Sequence, residues 1–402
     1  MRILHTADWH IGQRLYERSR LDEHSQFLQW LLSTIQTNSV DVLLVSGDIF
    51  DSALPTADAT NLYYQFLFQL YDQTDAQAVS TAGNHDSRRR LAAAREFLEM
   101  GRIHVVGGMG SGPDDCVLTL DSCVGSRSGE SVSIAAIPYL SESELLSHVS
   151  FETRSEKTGR YREAMKQLYR DCLENMPVHL PKILMGHLVL QGGEESGSER
   201  VIQTGGTSPL HVSDLPQGLD YVALGHLHRL QSIDGADYPI RYSGSPLPMT
   251  FKEAEHPKGV CLFDLSRASG VELREVAVPV FKELCRVEGN YDRVMLEAMS
   301  RDWAGKYIEV HLILDVPQVG AADRIREAFG NQNGDVLAVE LQLSQQCGDP
   351  RLSAEEIADK SPIEIFEEFY RAEYGDEKMA ESEVVRLLDT FKELTYECSN
   401  SD

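Results

Sequence analysis

Histidine, aspartate and asparagine recur in this chain where an apolar run stops at or near a glycine. "ADWH" supplies Asp8 and His10, "SGDIFD" supplies Asp48 and Asp51, and "GNHD" supplies Asn84, His85 and Asp86. "MGHL" adds His187, and "GHLH" adds His226 and His228. Carboxylates, imidazoles and an amide oxygen, with no thiolate, suit divalent Mn, Fe or Zn better than Ca. Two such ions about 3.5–4 Å apart need a bridge. A carboxylate has two oxygens for that task, and Asp48 is the candidate. On an extended segment, Asp-x-His and His-x-His place both side chains on one face, because the strand period is two. A single Asp-x-His is a common accident; the ordered recurrence, each time after a β-like run, is the signal. His24, His104, His148 and His311 lack that context and read as ordinary, and His5 reads as packed in a sheet. Asp86 fits either a helix N-cap or an orienter of His85, and the two roles are compatible.

Strands must deliver these groups. "RILHTA", "DVLLVSGD" and "AVSTAGN" read as strands, separated by helical spacing over residues 21–35 and 56–72. Residues 88–100 read as a further helix that stops at Gly101. Beyond Val105 the pattern turns β-rich, with "CVLTLD", "SVSIAAIPYL", "KILMGHL", "DYVALGHLH", "YPIRYSGSP" and "GVCLFDLS", and a helix over residues 160–175. In open α/β sheets the carboxyl ends of the strands meet in one crevice, so five strand ends can serve one site. The character shifts near Pro279, where a compact β-α-β-α-β unit begins. The segment from Leu352 onward is helical and acidic, with 15 Asp or Glu against 5 Lys or Arg, net −10. The reading is an α/β protein with a domain over 1–279, a small α/β cap over 280–346 and a helical segment over 347–402.

A length of 402 residues allows two or three domains with full cores. The composition, 42% hydrophobic and 25% charged, is that of a soluble globular protein. There is no apolar run of membrane-span length and no signal peptide, and the 7 cysteines contain no C-x-x-C pair. A reducing cytoplasm fits best. The formal net charge of −26 is unlike that of a protein that grips phosphate backbones unaided. Either the substrate is not a nucleic acid or a partner supplies the positive surface. Against that background Arg88, Arg89 and Arg90 stand at a helix start, where the dipole disfavours cations. They read either as DNA-phosphate contacts or as a solvated basic turn.

The ordered set D-x-H, G-D-x-x-D, G-N-H-D, H and G-H-x-H resembles the calcineurin-like metallophosphoesterase family across the whole N-terminal domain. That resemblance implies a β-sandwich flanked by helices. It also implies one metal held by Asp8, His10, Asp48 and His228, and a second held by Asp48, Asn84, His187 and His226. His85 matches the family's non-ligand catalytic histidine, and Asp86 is then expected to orient it. The ions would be Mn2+ first, with Mg2+, Fe and Zn as alternatives. "HTADWHIGQRL", "VLLVSGDIFD", "YVALGHLHRLQ" and "RYSGSPLPMTFKE" further resemble bacterial nuclease subunits that act with an SbcC-type coiled-coil ATPase. This implies DNA double-strand exonuclease and single-strand or hairpin endonuclease activity in repair, recombination and replication. It also implies that the C-terminal helices dock on the ATPase. Archaeal and eukaryotic relatives carry histidine at the place of Asp51, so Asp51 is expected to hold a ligand imidazole from behind. The competing reading is a small-molecule or phosphoprotein phosphoesterase on the same fold. "IFDSALPT", after Asp48, lacks the Arg-Gly that phosphoprotein phosphatases carry there.

A homodimer is expected from helix 56–72. Leu62, Tyr63, Tyr64, Phe66, Leu67, Phe68, Leu70 and Tyr71 spread over roughly two-thirds of its circumference at about 100° per residue. A sheet covers one side only. The resemblance favours a second copy as the other cover, with helix 88–100 completing a four-helix contact.

Overall fold

Alternate residues of each central strand fill different cores. In Arg2–Thr6, Ile3 points into the space between two sheets, while Leu4 points outward beneath helices. In Val42–Ser46, Val42 and Leu44 share the first core, and Leu43 and Val45 share the second. A strand buried on both faces needs this near-continuous apolar run. The computed structural model describes residues 1–146, 153–199, 209–315, 318, 320–343 and 364.

Two six-stranded sheets form the sandwich. The first runs in the order Gly270–Ala277, Gly259–Ser266, Arg2–Thr6, Val42–Ser46, Gln77–Thr81, Ile103–Val106. Its last four strands are parallel, and Gly259–Ser266 joins antiparallel to Arg2–Thr6. The second runs Gln231–Ile233, Ile240–Tyr242, Tyr221–Gly225, Lys182–His187, Ser131–Ala136, Val117–Asp121. Ile3, Val79, Ile134, Met185, Ala223 and Phe263 are among the side chains packed between the sheets. The helices Leu21–Asn38 and Ala57–Gln73 cover the outer face of the first sheet, with Phe27, Leu31, Phe66 and Leu70 inward. Arg154–Asn175 covers the second through Tyr161, Met165 and Tyr169. The strand Gly270–Ala277, which follows "GVCLFDLS", escapes the sequence pattern. Its charged residues Glu272, Arg274 and Glu275 are exposed on an edge strand, which interrupts the apolar run that marks a buried one.

Thr56 starts the Ala57–Gln73 helix by accepting a hydrogen bond from the Ala59 N–H. Ala59, Tyr63, Phe66, Leu67 and Leu70 are buried, and Leu62 and Tyr64 pack partly against the same core. Phe68 and Tyr71 remain outside, 65% and 49% exposed. The uncovered stripe is therefore narrower than the sequence alone suggests. The expected helix 88–100 is interrupted: Arg88–Leu91 and Arg95–Glu99 flank a 3₁₀ turn at Ala92–Ala94. The tighter turn changes the angular spacing, and Leu91 and Leu98 both reach the core. Phe97 and Met100 are left 76% and 82% exposed.

The chain divides into two compact units, Met1–Leu312 with Val319–Leu341, and Ile313–Gln318 with Gln342–Asp402. The β-α-β-α-β pattern beyond Pro279 is realised as strands Glu283–Gly289, Lys306–Leu314 and Asp335–Leu343, with helices Tyr291–Ser300 and Ala321–Gly330. Within the first unit, a two-stranded hairpin, Arg14–Leu15 with Arg18–Ser19, reaches this part of the chain. Leu15 packs with Phe251, Leu284 and Tyr307, and Tyr16 donates to Glu309 over 2.7 Å. The acidic segment over 347–402 lies outside the described residues apart from Glu364. No described helix is long and apolar enough to cross a membrane.

Candidate metal centre

The site lies where the carboxyl ends of five parallel strands from both sheets converge. Asp8 and His10 follow Arg2–Thr6, Asp48 and Asp51 follow Val42–Ser46, and Asn84, His85 and Asp86 follow Gln77–Thr81. His187 ends Lys182–His187, and His226 and His228 follow Tyr221–Gly225. The donor pairs do not use the pleat of a strand, as the period-two argument expects. Asp8, His10, Asp48 and His226 instead take positive φ values of 52°, 46°, 49° and 98° just past the strand ends. Such left-handed conformations are costly for non-glycine residues and collect at functional sites. They turn alternate side chains into the crevice where an extended chain would run past it.

Two buried clusters result. Asp8, His10 and His228 bring donor atoms within 4.8 Å of one another, and so do Asp48, His187 and His226. His10 Nε2 lies 3.2 Å from His228 Nε2. Asn84 Oδ1 lies 2.9 Å from His187 Nε2 and 3.1 Å from His226 Nδ1. Asp48 Oδ2, in the second cluster, lies 3.3 Å from His187 Nε2 and also 3.7 Å from His10 Nε2 of the first. Ligand atoms at about 2.0–2.2 Å from a shared tetrahedral ion lie about 3.3 Å apart. Spacing and donor chemistry therefore both fit divalent cations. Gly83 is required here, because a Cβ would lie 2.1 Å from Asp48 Oδ1. At Gly225 it would meet the Ser46 carbonyl at 1.9 Å.

Burial raises the pKa of Asp8, although His187 and His10 oppose it. Asp48 is held well below the usual carboxylate range: burial works against its charge, but His187, His10 and His85 outweigh that. Burial also opposes charge on His187, yet Asp48 and Asp8 push it up to about 9. His226 is pushed down to about 3, chiefly by burial and then by His187. Negative charge is thus concentrated on Asp48 rather than on Asp8.

His85 stands beside this centre. Its backbone N–H donates to Asp48 Oδ1 over 2.8 Å, and its Nδ1 lies 2.8 Å from the Asp51 carbonyl oxygen. Its Nε2 is 3.9 Å from Asp48 Oδ2. Asp86 does not orient it: the Asp86 carboxylate accepts from the backbone N–H groups of Ile49, Phe50 and Gly83. It ties the Asp48 loop to the Asn84 loop. Asp86 is not the helix cap either, because Ser87 occupies that position. A carboxylate satisfied by three N–H donors has little reason to reach an imidazole. The Asp51 carboxylate is 3.5 Å from His10 Nδ1, a buried nitrogen with no hydrogen-bond partner. Asp51 thus lies near a candidate ligand, at more than hydrogen-bond length.

The three arginines divide. Arg88 is half-buried and engaged by Glu144 and the Tyr139 carbonyl, while Arg89 and Arg90 are exposed. The sequence reading missed the groups behind His228. Ser198 Oγ is 2.7 Å from His228 Nδ1 and also bonds Glu253, which pairs with Lys258 over 2.6 Å. Of the histidines read as ordinary, His311 forms a further donor group with Glu309 and Glu340, away from the strand-end site. There Glu309 is already satisfied by Tyr16 and Arg286.

Residues 1–230 match the family described as Calcineurin-like phosphoesterase, and residues 280–374 match one described as Type 5 capsule protein repressor C-terminal domain. The D subunit of the SbcCD nuclease from Escherichia coli K12 is 30% identical over 401 residues, covering 97% of each chain. The proteins of the same name from Bacillus subtilis and Rhodobacter capsulatus are 35% and 38% identical. They cover 71% and 69% of this chain and 72% and 69% of their own. With residues 1–230 matching the calcineurin-like phosphoesterase model and this similarity over 97% of the chain, the protein belongs to the calcineurin-like phosphoesterases and, within them, to the family of SbcCD nuclease D subunits.

Proposed function

We propose that this chain is the metal-dependent nuclease subunit of an SbcCD-type complex, hydrolysing DNA phosphodiesters together with an SbcC-type coiled-coil ATPase. The observation that carries the reading is the position of Asp48 Oδ2 in one buried donor cluster and also near His10 of the other, with the His85 imidazole alongside. Asp8, His10, Asp48 and His228 would hold one ion, and Asp48, Asn84, His187 and His226 the other. Divalent ions bound there, Mn2+ by preference, would neutralise phosphate charge and acidify water. Asn84 supplies an oxygen without adding charge. His85 donates from Nδ1 to the Asp51 carbonyl, which leaves Nε2 to carry a proton toward a leaving oxygen. Asp86 acts at one remove, by fixing the two loops against each other.

Arg89 and Arg90 are free to meet DNA phosphates, and Arg88 is committed to Glu144. A chain of net charge −26 then relies on its ATPase partner for most of the basic surface. The division at 279 and 346, docking of the C-terminal helices on the ATPase, and a cytoplasmic setting belong to the same proposal. So does a homodimer. Phe68, Tyr71, Phe97 and Met100 are exposed on the two predicted contact helices. The test is cleavage of hairpin and blunt-ended DNA with Mn2+, with and without the ATPase and with a chelator. Cleavage that needs the metal supports the reading. Hydrolysis of a phosphomonoester but not of DNA would favour a phosphatase.

A further inference from the structure

The loop around Ser198 closes over the back of His228. Glu199 accepts from the His228 N–H over 3.0 Å and from the N–H groups of Ser196 and Gly197 over 2.9 and 2.8 Å. Ser198 Oγ lies 2.7 Å from His228 Nδ1 and bonds the Glu253 carboxylate. Glu253 is fully buried and receives Lys258 Nζ at 2.6 Å and the Met249 N–H at 3.2 Å. Lys258 also donates to the His228 carbonyl oxygen over 3.1 Å and to Ser245 Oγ over 2.9 Å. Backbone and ring of His228 are thus gripped by one small network.

The hydrogen-bond directions in this network are determined. Glu253, charge-paired with Lys258, can only accept. A serine hydroxyl has one proton, and here it goes to Glu253. Ser198 Oγ must therefore accept from His228, which puts the imidazole proton on Nδ1. In the neutral ring Nε2 then keeps the lone pair, and that atom faces His10 Nε2 at 3.2 Å. We infer that Ser198, backed by Glu253 and Lys258, is a positioning residue that fixes the tautomer and ring angle of His228 and so prepares one of the two metal sites. The inference rests on the metal reading above. It gives a role to Ser198 and Lys258, which the quoted motifs do not contain, and to Glu253, which ends one of them.

The test uses the full chain, stripped of metal. Nitrogen-15 imidazole spectra of the wild type should place the His228 proton on Nδ1. A proton on Nε2 overturns the inference, whether or not any metal binds. Mn2+ titration followed by electron paramagnetic resonance then compares wild type, Ser198→Ala and Ser198→Thr. In Ser198→Ala one of two sites should weaken about 10–100-fold while the other stays near the wild-type value. Ser198→Thr, which keeps the hydroxyl, should restore it. Two unchanged sites in the alanine variant overturn the inference, as does a threonine variant as weak as alanine. A wild type that binds no Mn2+ defeats the metal reading instead, and the spectra still decide the tautomer.

Discussion

Replacing His85 by alanine removes an imidazole but keeps the backbone N–H that donates to Asp48 Oδ1 over 2.8 Å. The shared carboxylate should therefore stay in place, and both metal sites should survive. The side chain gives up the hydrogen bond from Nδ1 to the Asp51 carbonyl, and such a bond is worth about 0.5–1.5 kcal/mol. That is small against a typical unfolding free energy of about 5–15 kcal/mol. The chemical loss should be larger. A positioned general acid contributes about 10²–10⁴-fold, or about 2.7–5.4 kcal/mol of barrier at about 1.36 kcal/mol per tenfold. The assay is the initial rate of Mn2+-dependent cleavage of a labelled hairpin, with metal content and melting temperature measured on the same preparations. His10, Asp51 and His85 also bring donor atoms within 4.8 Å, so a rival assignment exists. A variant that loses a metal makes His85 a ligand, and a variant that cleaves at the wild-type rate removes it from the chemistry.

Phe68→Asp should yield a folded monomer by light scattering, whereas Leu67→Asp should unfold, since Leu67 is 4% exposed; a monomeric wild type at tens of micromolar refutes the dimer. Arg89→Ala with Arg90→Ala should weaken DNA binding without changing sequence preference. The salt slope should fall by roughly 0.7–0.9 for each phosphate that is no longer neutralised, and an unchanged slope rules out a role for these arginines on DNA. His5 is buried in the sheet, and burial, followed by Arg241, pushes its pKa down to about 3. The unfolded chain then takes up a proton near pH 6.5 that the folded chain refuses, so this contribution is intact above pH 6.5 and lost as pH falls toward 3. The limiting slope is about 1.4 kcal/mol per pH unit. Urea midpoints at pH 7 and pH 5 should lie closer together in His5→Phe than in wild type, and an equal gap contradicts the assignment.

The strand ends were legible because buried parallel strands read as unbroken apolar runs, and each candidate ligand sat immediately after one. The helices Leu21–Asn38, Tyr291–Ser300 and Ala321–Gly330 were legible from their 3.6-residue spacing. Three things were not. Positive φ at Asp8, His10, Asp48 and His226 could not be placed from residue type, because aspartate and histidine only tolerate it better than most and tertiary packing decides where it occurs. The 3₁₀ turn at Ala92–Ala94 is hidden in a sequence of good helix formers. The role of Asp86 depends on loops distant in sequence, whose N–H groups point at it only after folding. Ser198, Glu253 and Lys258 were invisible for the same reason: they meet His228 from separate segments, and none carries a spacing rule.

One carboxylate, Asp48, is proposed to serve both metal sites and, through them, DNA cleavage. Metal content and Mn2+-dependent hairpin cleavage, measured side by side on wild type and Asp48→Asn, test it most directly. Two ions per wild-type chain are predicted, with both lost or sharply weakened in the variant and cleavage lost with them. Asp48→Asn that retains two ions at wild-type affinity, or that cleaves DNA as well as the wild type does, contradicts the account.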